Sequence, residues 1–168
     1  MVEVMRVEVN QFRMPNGEIV NLEDWNLVAD ITTEEEATAL EITQKQGGRS
    51  FELEEFVLVI KSVGTSTNES VQNKNAIFNI SGYNVGYFSS ILYNNGVTRT
   101  WVIKGNVSPI LFLTGAEYNT DANYNSGRPF NGFGGYDYSG RFDKVTSAKA
   151  TMQAGVFGVG SRMIMYGR

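Results

Sequence analysis

The sequence contains neither cysteine nor histidine. Without cysteine, the chain cannot form disulfides, zinc–thiolate sites or a cysteine nucleophile. Without histidine, it lacks the commonest general base and the commonest metal ligand of proteins. Catalysis would have to rely on carboxylate, lysine, tyrosine, serine or threonine side chains. We therefore predict that the protein is not an enzyme and that it carries no cofactor.

The sequence also lacks long apolar runs. None approaches the roughly 20 residues of a membrane-spanning helix. The N-terminal stretch MVEVMRVEVNQF alternates apolar and polar residues where a signal peptide would have an apolar core. We expect no membrane association and no secretory signal. The 168 residues, of which 12% are aromatic and 19% charged, indicate one folded domain spanning residues 1–168.

Charge is distributed unevenly along the chain. Residues 1–64 hold 13 acidic and 5 basic side chains, a net charge of −8, whereas residues 65–168 hold 5 acidic and 9 basic, a net charge of +4. The division could arise by chance, or it could give the molecule acidic and basic faces that dock head-to-tail with copies of itself. Basic residues occur singly rather than in runs, so we expect no nucleic-acid partner.

The stretch 51–64, FELEEFVLVIKSVG, is the longest strand-like run of the chain. Strand alternation places Phe56, Leu58 and Ile60 on one face. The other face would carry Phe51, Leu53, Val57 and Val59. Because both faces are apolar from residue 56 to residue 60, we predict a strand in the middle of a sheet with a further layer on each side.

The first 22 residues are predicted to form a hairpin. Alternating valines from Val2 to Val9 predict a strand, and residues 19–22 predict the returning strand. Met14–Gly17 predicts the turn between them, because proline and Asn-Gly favour turn dihedrals. Residues 1–22 could also act as a separable arm that swaps onto a neighbour, with Pro15–Gly17 as its hinge.

Residues 23–43 allow two interpretations. Thr33 and Glu36 have the spacing of a capping box, which favours a helix over residues 34–40. Residues 37–43 also suit a strand, and Gly47 and Gly48 suit a tight turn before Phe51. We favour a strand at 37–43 that forms a hairpin with the strand starting at Phe51.

The second half of the chain predicts further strands at 76–80, 85–93, 98–104, 110–113, 144–153 and 155–166. Asn94–Gly96 predicts a hairpin turn that joins 85–93 to 98–104, with Trp101 inside the core. The whole chain thus has about nine or ten short strands and at most one short helix, which predicts an all-β, antiparallel, jelly-roll-like β-sandwich.

Residues 115–142 form a long loop in this interpretation, rich in glycine, asparagine and aromatic residues. Loops of this length are usually functional. The aromatic and arginine side chains could form an adaptable protein interface or stack on glycans, or they could simply cover the sandwich core. The candidate interface or glycan-binding residues are Tyr118, Tyr124, Arg128, Phe130, Phe133, Tyr136, Tyr138 and Arg141.

Asp121, Asn123 and Asn125 have the alternate spacing of calcium ligands. An EF-hand also needs glycine at its sixth position and a bidentate glutamate at its twelfth, where this chain has Ser126 and Gly132. A polar turn explains the residues equally well. We therefore predict no metal site, with these three residues as the candidates for calcium if one exists.

Clustered glutamates at 34–36 and 52–55 leave a carboxylate-only hydrolase as a further hypothesis. A glycosidase needs two carboxylates held across a cleft, whereas glutamates adjacent in sequence usually face solvent. The chain contains no nucleophile elbow, P-loop or dinucleotide-binding fingerprint in a suitable context.

Two stretches, GGRSFELEEFVLVIKSVGTSTN at residues 47–68 and the Tyr/Asn/Gly-rich 115–142, resemble accessory structural proteins of tailed phages, such as head decoration and fibre proteins, collar pieces and baseplate modules. The resemblance implies a virion component without catalytic residues, synthesised in the host cytoplasm, that binds copies of itself and other virion proteins on a symmetric particle. A carbohydrate-binding module that uses the aromatic residues of 115–142 is the alternative.

Overall fold

The computed structural model describes residues 11–14, 17–65, 76–88, 98–107, 112–119, 128–129 and 144–168. Over these residues the chain consists of antiparallel strands and turns, and the only helix is the 3-10 helix Leu22–Asp24. This confirms the all-β prediction. The strands are β1 (Gln11–Arg13), β2 (Ile19–Asn21), β3 (Asn26–Thr32), β4 (Ala39–Ile42), β5 (Glu55–Val63), β6 (Ala76–Ile80), β7 (Tyr83–Phe88), β8 (Thr98–Asn106), β9 (Phe112–Asn119), β10 (Arg128–Pro129), β11 (Ala148–Met152) and β12 (Arg162–Gly167).

Two main sheets pack face to face. The larger sheet has the order β10-β9-β8-β5-β12-β3, and the smaller has the order β4-β11-β6-β7. Pairing is nested: β3 pairs with β12, β4 with β11, β5 with β8 and β6 with β7. Such a ribbon, folded on itself into two sheets of four strands, is the jelly-roll arrangement. The predicted jelly-roll-like sandwich is therefore confirmed, with β9 and β10 added at one side.

Strand directions determine which connections share an end of the sandwich. Arg162 lies opposite both Thr32 of β3 and Lys61 of β5, so β12 begins where β3 and β5 end. One end, which we call the β3–β4 end, therefore has the last residues of β5 and β7 and carries the connections 33–38 and 153–161. The opposite end, the β4–β5 end, has the last residues of β8 and carries the connections 43–54 and 81–82.

The strand β5 is buried on both faces. Phe56, Leu58 and Ile60 are fully buried in the inner core between the two sheets. Val57 and Val59 belong to a second buried cluster on the outer face of the larger sheet. Full burial of such side chains stabilises the fold by about 1.5–3 kcal/mol each. The prediction of a central strand covered on both sides is confirmed.

The prediction that Phe51 and Leu53 lie on the same face of the strand as Val57 is wrong. Both lie in the inner core rather than beside Val57. Strand β5 begins only at Glu55, and Leu53 instead forms an isolated bridge with Val145. Because the chain bends at Glu54, strand alternation does not extend back across this position.

The hairpin β1–β2 forms a third layer on the outer face of the larger sheet. It buries Phe12, Met14 and Val20 in the second cluster, against valines and isoleucine of the sheet. The turn predicted at 14–17 is present, since the N–H of Gly17 donates to the carbonyl of Met14 at 2.9 Å. The predicted strand over residues 2–9 and the turn residues 15 and 16 lie outside the described part of the chain. The separable arm over residues 1–22, with Pro15–Gly17 as its hinge, stays a prediction.

Two other hairpin predictions are wrong in their partners. The strand predicted at 37–43 exists as β4, in preference to the helix, but β4 lies in the smaller sheet and pairs with β11 instead of β5. Likewise β7 pairs with β6, whereas β8 pairs with β5 and β9 in the larger sheet. In both cases the connection crosses between the two sheets. Trp101 of β8 is fully buried as predicted, and the turn predicted at 94–96 lies outside the described residues.

The chain packs closely around Gly158, in the connection between β11 and β12. A Cβ at this position would lie 2.7 Å from the carbonyl oxygen of Val63 and 2.7 Å from Cγ2 of Thr65. We expect Gly158→Ala to lower the free energy of unfolding by about 1–3 kcal/mol, as overpacking does in buried sites. Urea denaturation measures the change. The neighbouring Val159→Ala, at a side chain 57% exposed, serves as the control and should change it by less than about 0.5 kcal/mol.

Candidate functional site

The strands β9 and β10 are an insertion into the jelly roll. Eight residues of β9 pair with β8, and β10 pairs with β9 through Arg128 opposite Glu117 and Pro129 opposite Ala116. The nested pairing of the other strands is complete without them. β9 and β10 therefore extend the larger sheet beside β8, and they lie between β8 and β11 in the chain.

Part of the loop predicted over residues 115–142 is strand. Tyr118 lies in β9, opposite Thr100 of β8, and Arg128 lies in β10. A strand forms here because β8 would otherwise present an unpaired edge. The sequence did not reveal it because main-chain hydrogen bonds do not require the added strand to alternate apolar and polar residues. The structure thus brings Tyr118 and Arg128 onto neighbouring strands. The candidates outside the described residues are Tyr124, Phe130, Phe133, Tyr136, Tyr138 and Arg141, with the calcium candidates Asp121, Asn123 and Asn125.

The described residues on either side of these candidates lie at opposite ends of the sandwich. Asn119 of β9 lies opposite Arg99 of β8, at the β3–β4 end. Lys144 lies beside Glu54, at the β4–β5 end.

Ion pairs link the two oppositely charged halves of the sequence. Five pairs among the described residues each join an acidic side chain from residues 1–64 to a basic one from residues 65–168. They are Glu18–Lys104, Asp30–Arg162, Glu41–Lys149, Glu54–Lys144 and Glu55–Arg168. Nested pairing explains the pattern, because it places strands of the first half beside strands of the second. The uneven charge distribution therefore supplies ion pairs within one molecule. Acidic and basic docking faces are not needed to explain it.

The pair between Asp30 and Arg162 has the most specific geometry of the five. The guanidinium uses two nitrogens on the two carboxylate oxygens, with Nε donating to Oδ1 at 2.7 Å. The side chains are only 22% and 30% exposed. A two-point contact of this kind fixes the relative position of β3 and β12 more tightly than a single exposed pair.

The ion pair between Glu54 and Lys144 lowers the pKa of Glu54. The hydrogen bond from Lys144, and then its positive charge, hold the pKa of Glu54 below the ordinary value of 4.5. A lowered folded-state pKa means that the stabilisation is present above the ordinary glutamate pKa and is lost as the pH falls through the lowered one.

We expect Lys144→Ala to raise the pKa of Glu54 to its ordinary value, which NMR titration of the carboxyl carbon measures. Because the Glu54 side chain is exposed, the free energy of unfolding should change little. Lys149→Ala is the matched control: it removes a different surface pair, with Glu41, and should leave the pKa of Glu54 unchanged. An unchanged titration in Lys144→Ala would contradict the assignment.

Trp25 is the centre of a cluster that the sequence did not indicate. The guanidinium of Arg168 lies 4.3 Å from the centre of its ring, and the ammonium of Lys104 lies 5.9 Å away. Lys104 also pairs with Glu18 of the hairpin, and Arg168 with Glu55 at 2.5 Å. These contacts join the start of β3, the end of β12 and the hairpin. No local signal could reveal the cluster, since its members are far apart in sequence.

Two edge strands of the sandwich are poorly suited to pairing with another chain. β3 contains a bulge at Val28, whose carbonyl accepts a hydrogen bond from the N–H of Gln46 at 2.9 Å. β4 has only four residues, and its exposed Glu41 carries charge. Bulges, short length and charge are the means by which proteins protect sheet edges. Self-association through these two edges is therefore disfavoured.

Within the described ranges, no group of three or more aspartate, glutamate, histidine or cysteine residues is arranged to hold a metal ion. No helix in the same ranges has the length and apolarity needed to span a bilayer. No protein-family model matches the chain, and no curated protein or solved structure matches it significantly. Function is therefore inferred from the fold and from the surfaces that it presents.

Proposed function

We propose that the chain is a non-enzymatic virion structural protein, serving as a capsid decoration, head fibre, collar or tail component. The observation that carries the proposal is the jelly-roll strand order. Jelly rolls are used by viral capsid proteins, lectin domains and cupins. A fold alone does not imply a function. Among these classes, virion components agree best with the likeness of residues 47–68 and 115–142 to phage accessory proteins.

The composition favours the structural classes among these. A jelly-roll enzyme with a bound transition metal would draw on imidazole ligands, and this chain has no histidine. The remaining classes, virion component and lectin, both act by binding. Binding to copies of itself and to other virion proteins requires a folded body with an adaptable surface, which the inserted segment around β9 and β10 would supply.

The solution mass tests self-association. Light scattering on a sizing column should give a mass that is a whole multiple of the 18.6 kDa chain mass. This mass should stay the same when the protein concentration is raised further. A closed oligomer is the form in which a protein matches a symmetric particle. A mass of one chain at every concentration would overturn self-association in solution.

The alternative is a carbohydrate-binding module, which the same fold also supports. If the aromatic residues of 115–142 stack on sugars, Tyr136→Ala together with Tyr138→Ala should abolish retention on a glycan column, since each stacked ring is a main source of affinity. The control is Tyr83→Ala, in an exposed tyrosine of β7 outside the segment. Unchanged retention in the double variant, or no retention of the original chain, would exclude this alternative.

A further inference from the structure

The hairpin β1–β2 differs from every other described strand pair, because it is not hydrogen-bonded to either main sheet. It forms a two-stranded sheet of its own. Among the described residues, the hairpin contacts the larger sheet through side chains of the second cluster and through the Glu18–Lys104 pair. Moving the hairpin away as a unit would break no ladder hydrogen bond between the described strands of the two main sheets.

The surface beneath the hairpin cannot remain exposed to water. It consists of Val57 and Val59 of β5, Val102 of β8 and Ile164 of β12, which are at most 6% exposed while the hairpin covers them. A contiguous apolar patch at the centre of a sheet favours association when it is uncovered. Some hairpin must therefore cover this face, whether it belongs to the same chain or to another.

The contacts between hairpin and sheet are complementary in shape and in charge. Phe12, Met14 and Val20 supply the apolar part, and Glu18 pairs with Lys104 of β8. An identical copy of the hairpin would make the same contacts on a second molecule. Exchange of an identical element between copies needs no new surface, and this makes it a low-cost route to oligomers.

The connection between hairpin and body is short and lies at an edge. It consists of the 3-10 helix Leu22–Asp24 and Trp25, which leads directly into the edge strand β3. Its hydrogen bonds are long, at 3.3 Å from the N–H of Glu23 to Asn21 and 3.2 Å from the N–H of Trp25 to Leu22. Short connections of this kind favour exchange, and the edge position gives the hairpin a route to a neighbouring molecule.

We infer that the β1–β2 hairpin is the self-association element of this protein: in the oligomer, the hairpin of one copy covers the Val57/Val59/Val102/Ile164 face of another. The inference rests on the proposed self-association and names the surface responsible for it. It also places the hinge at residues 22–25.

Cysteine cross-linking tests the exchange, because the chain has no thiol of its own. Glu18→Cys and Lys104→Cys are prepared as separate variants, unfolded together in equal amounts, refolded and separated by size. A short bis-maleimide is then added to the oligomer. Exchange predicts a covalent dimer at twice the 18.6 kDa chain mass, with residue 18 of one chain joined to residue 104 of the other.

The matched control is the pair Glu54→Cys and Lys144→Cys, which replaces an ion pair located within the body. This mixture should give no link between positions 54 and 144 of different chains. The double variant Glu18→Cys/Lys104→Cys reports the reactivity of the site, since it should react within one chain in any monomer.

Failure of the exchange and failure of self-association give different results. An oligomer without links between positions 18 and 104 of different chains, formed by protein whose double variant does react, would overturn the exchange and leave self-association intact. A chain that stays monomeric at every concentration would overturn self-association and the exchange with it.

Discussion

Leu58→Ala is expected to lower the free energy of unfolding by about 2–5 kcal/mol, the range for leucine-to-alanine changes in well-packed cores. Leu58 is fully buried in the inner core, at the middle of β5. Its strand is held by β8 on one side and β12 on the other, so the surrounding backbone has little freedom to close the cavity. Urea or guanidinium denaturation with an unchanged m-value measures the loss.

The matched control is Leu27→Ala, the same substitution at a side chain 49% exposed on the edge strand β3. It should change the free energy of unfolding by less than about 0.5 kcal/mol. If the two variants lost equal stability, β5 would not be the central strand of the sandwich. A loss below about 1 kcal/mol in Leu58→Ala would have the same meaning.

Trp101→Ala should cost about 3–5 kcal/mol, since it removes the largest of the fully buried side chains. Trp101 lies on β8 opposite Ile60, and both belong to the inner core. The cavity would open between the two sheets and weaken their contact directly. Thermal or urea unfolding followed by far-UV circular dichroism measures the loss independently of tryptophan fluorescence.

Trp25→Ala is the natural comparison, because the chain has only these two tryptophans. It removes two cation–π contacts at a half-buried site, each worth about 0.5–1 kcal/mol, and should cost less than Trp101→Ala. If Trp25→Ala were the more damaging change, the outer face rather than the inner core would dominate the stability of the fold.

The parts of the fold that were predictable from sequence are those governed by local patterns. The double-sided apolar pattern of residues 56–60 identified the central strand, and the turn signal at 14–17 marked where the chain reverses. Such signals depend on a few adjacent residues, so tertiary structure has little opportunity to override them.

The partners of the strands were not predictable in the same way. A turn signal shows that the chain reverses, but it does not show whether the chain returns in the same sheet or crosses to the other. In a jelly roll, the connections β4–β5 and β7–β8 cross between sheets, and the hairpins expected there do not form. The pairs that matter, such as β3 with β12, join strands far apart in sequence.

The candidate sites also include features that the sequence revealed and features that only the structure revealed. The segment 115–142 stood out by composition, yet only the pairing of β8 with β9 shows that Tyr118 belongs to a strand. The charge division was visible in the sequence, but its use in ion pairs between the halves depends on the nested topology. The cluster around Trp25 had no sequence signal at all, since Arg168 contributes from the opposite end of the chain.

The measurement that tests the proposed function most directly is quantitative mass spectrometry of purified particles from the source that encodes this chain. The protein should be present at a constant number of copies per particle, and that number should be a multiple of the order of one of the particle's symmetry axes. It should also co-sediment with particles after washing in salt. Abundant protein in the lysate with none in the particles would contradict a virion role.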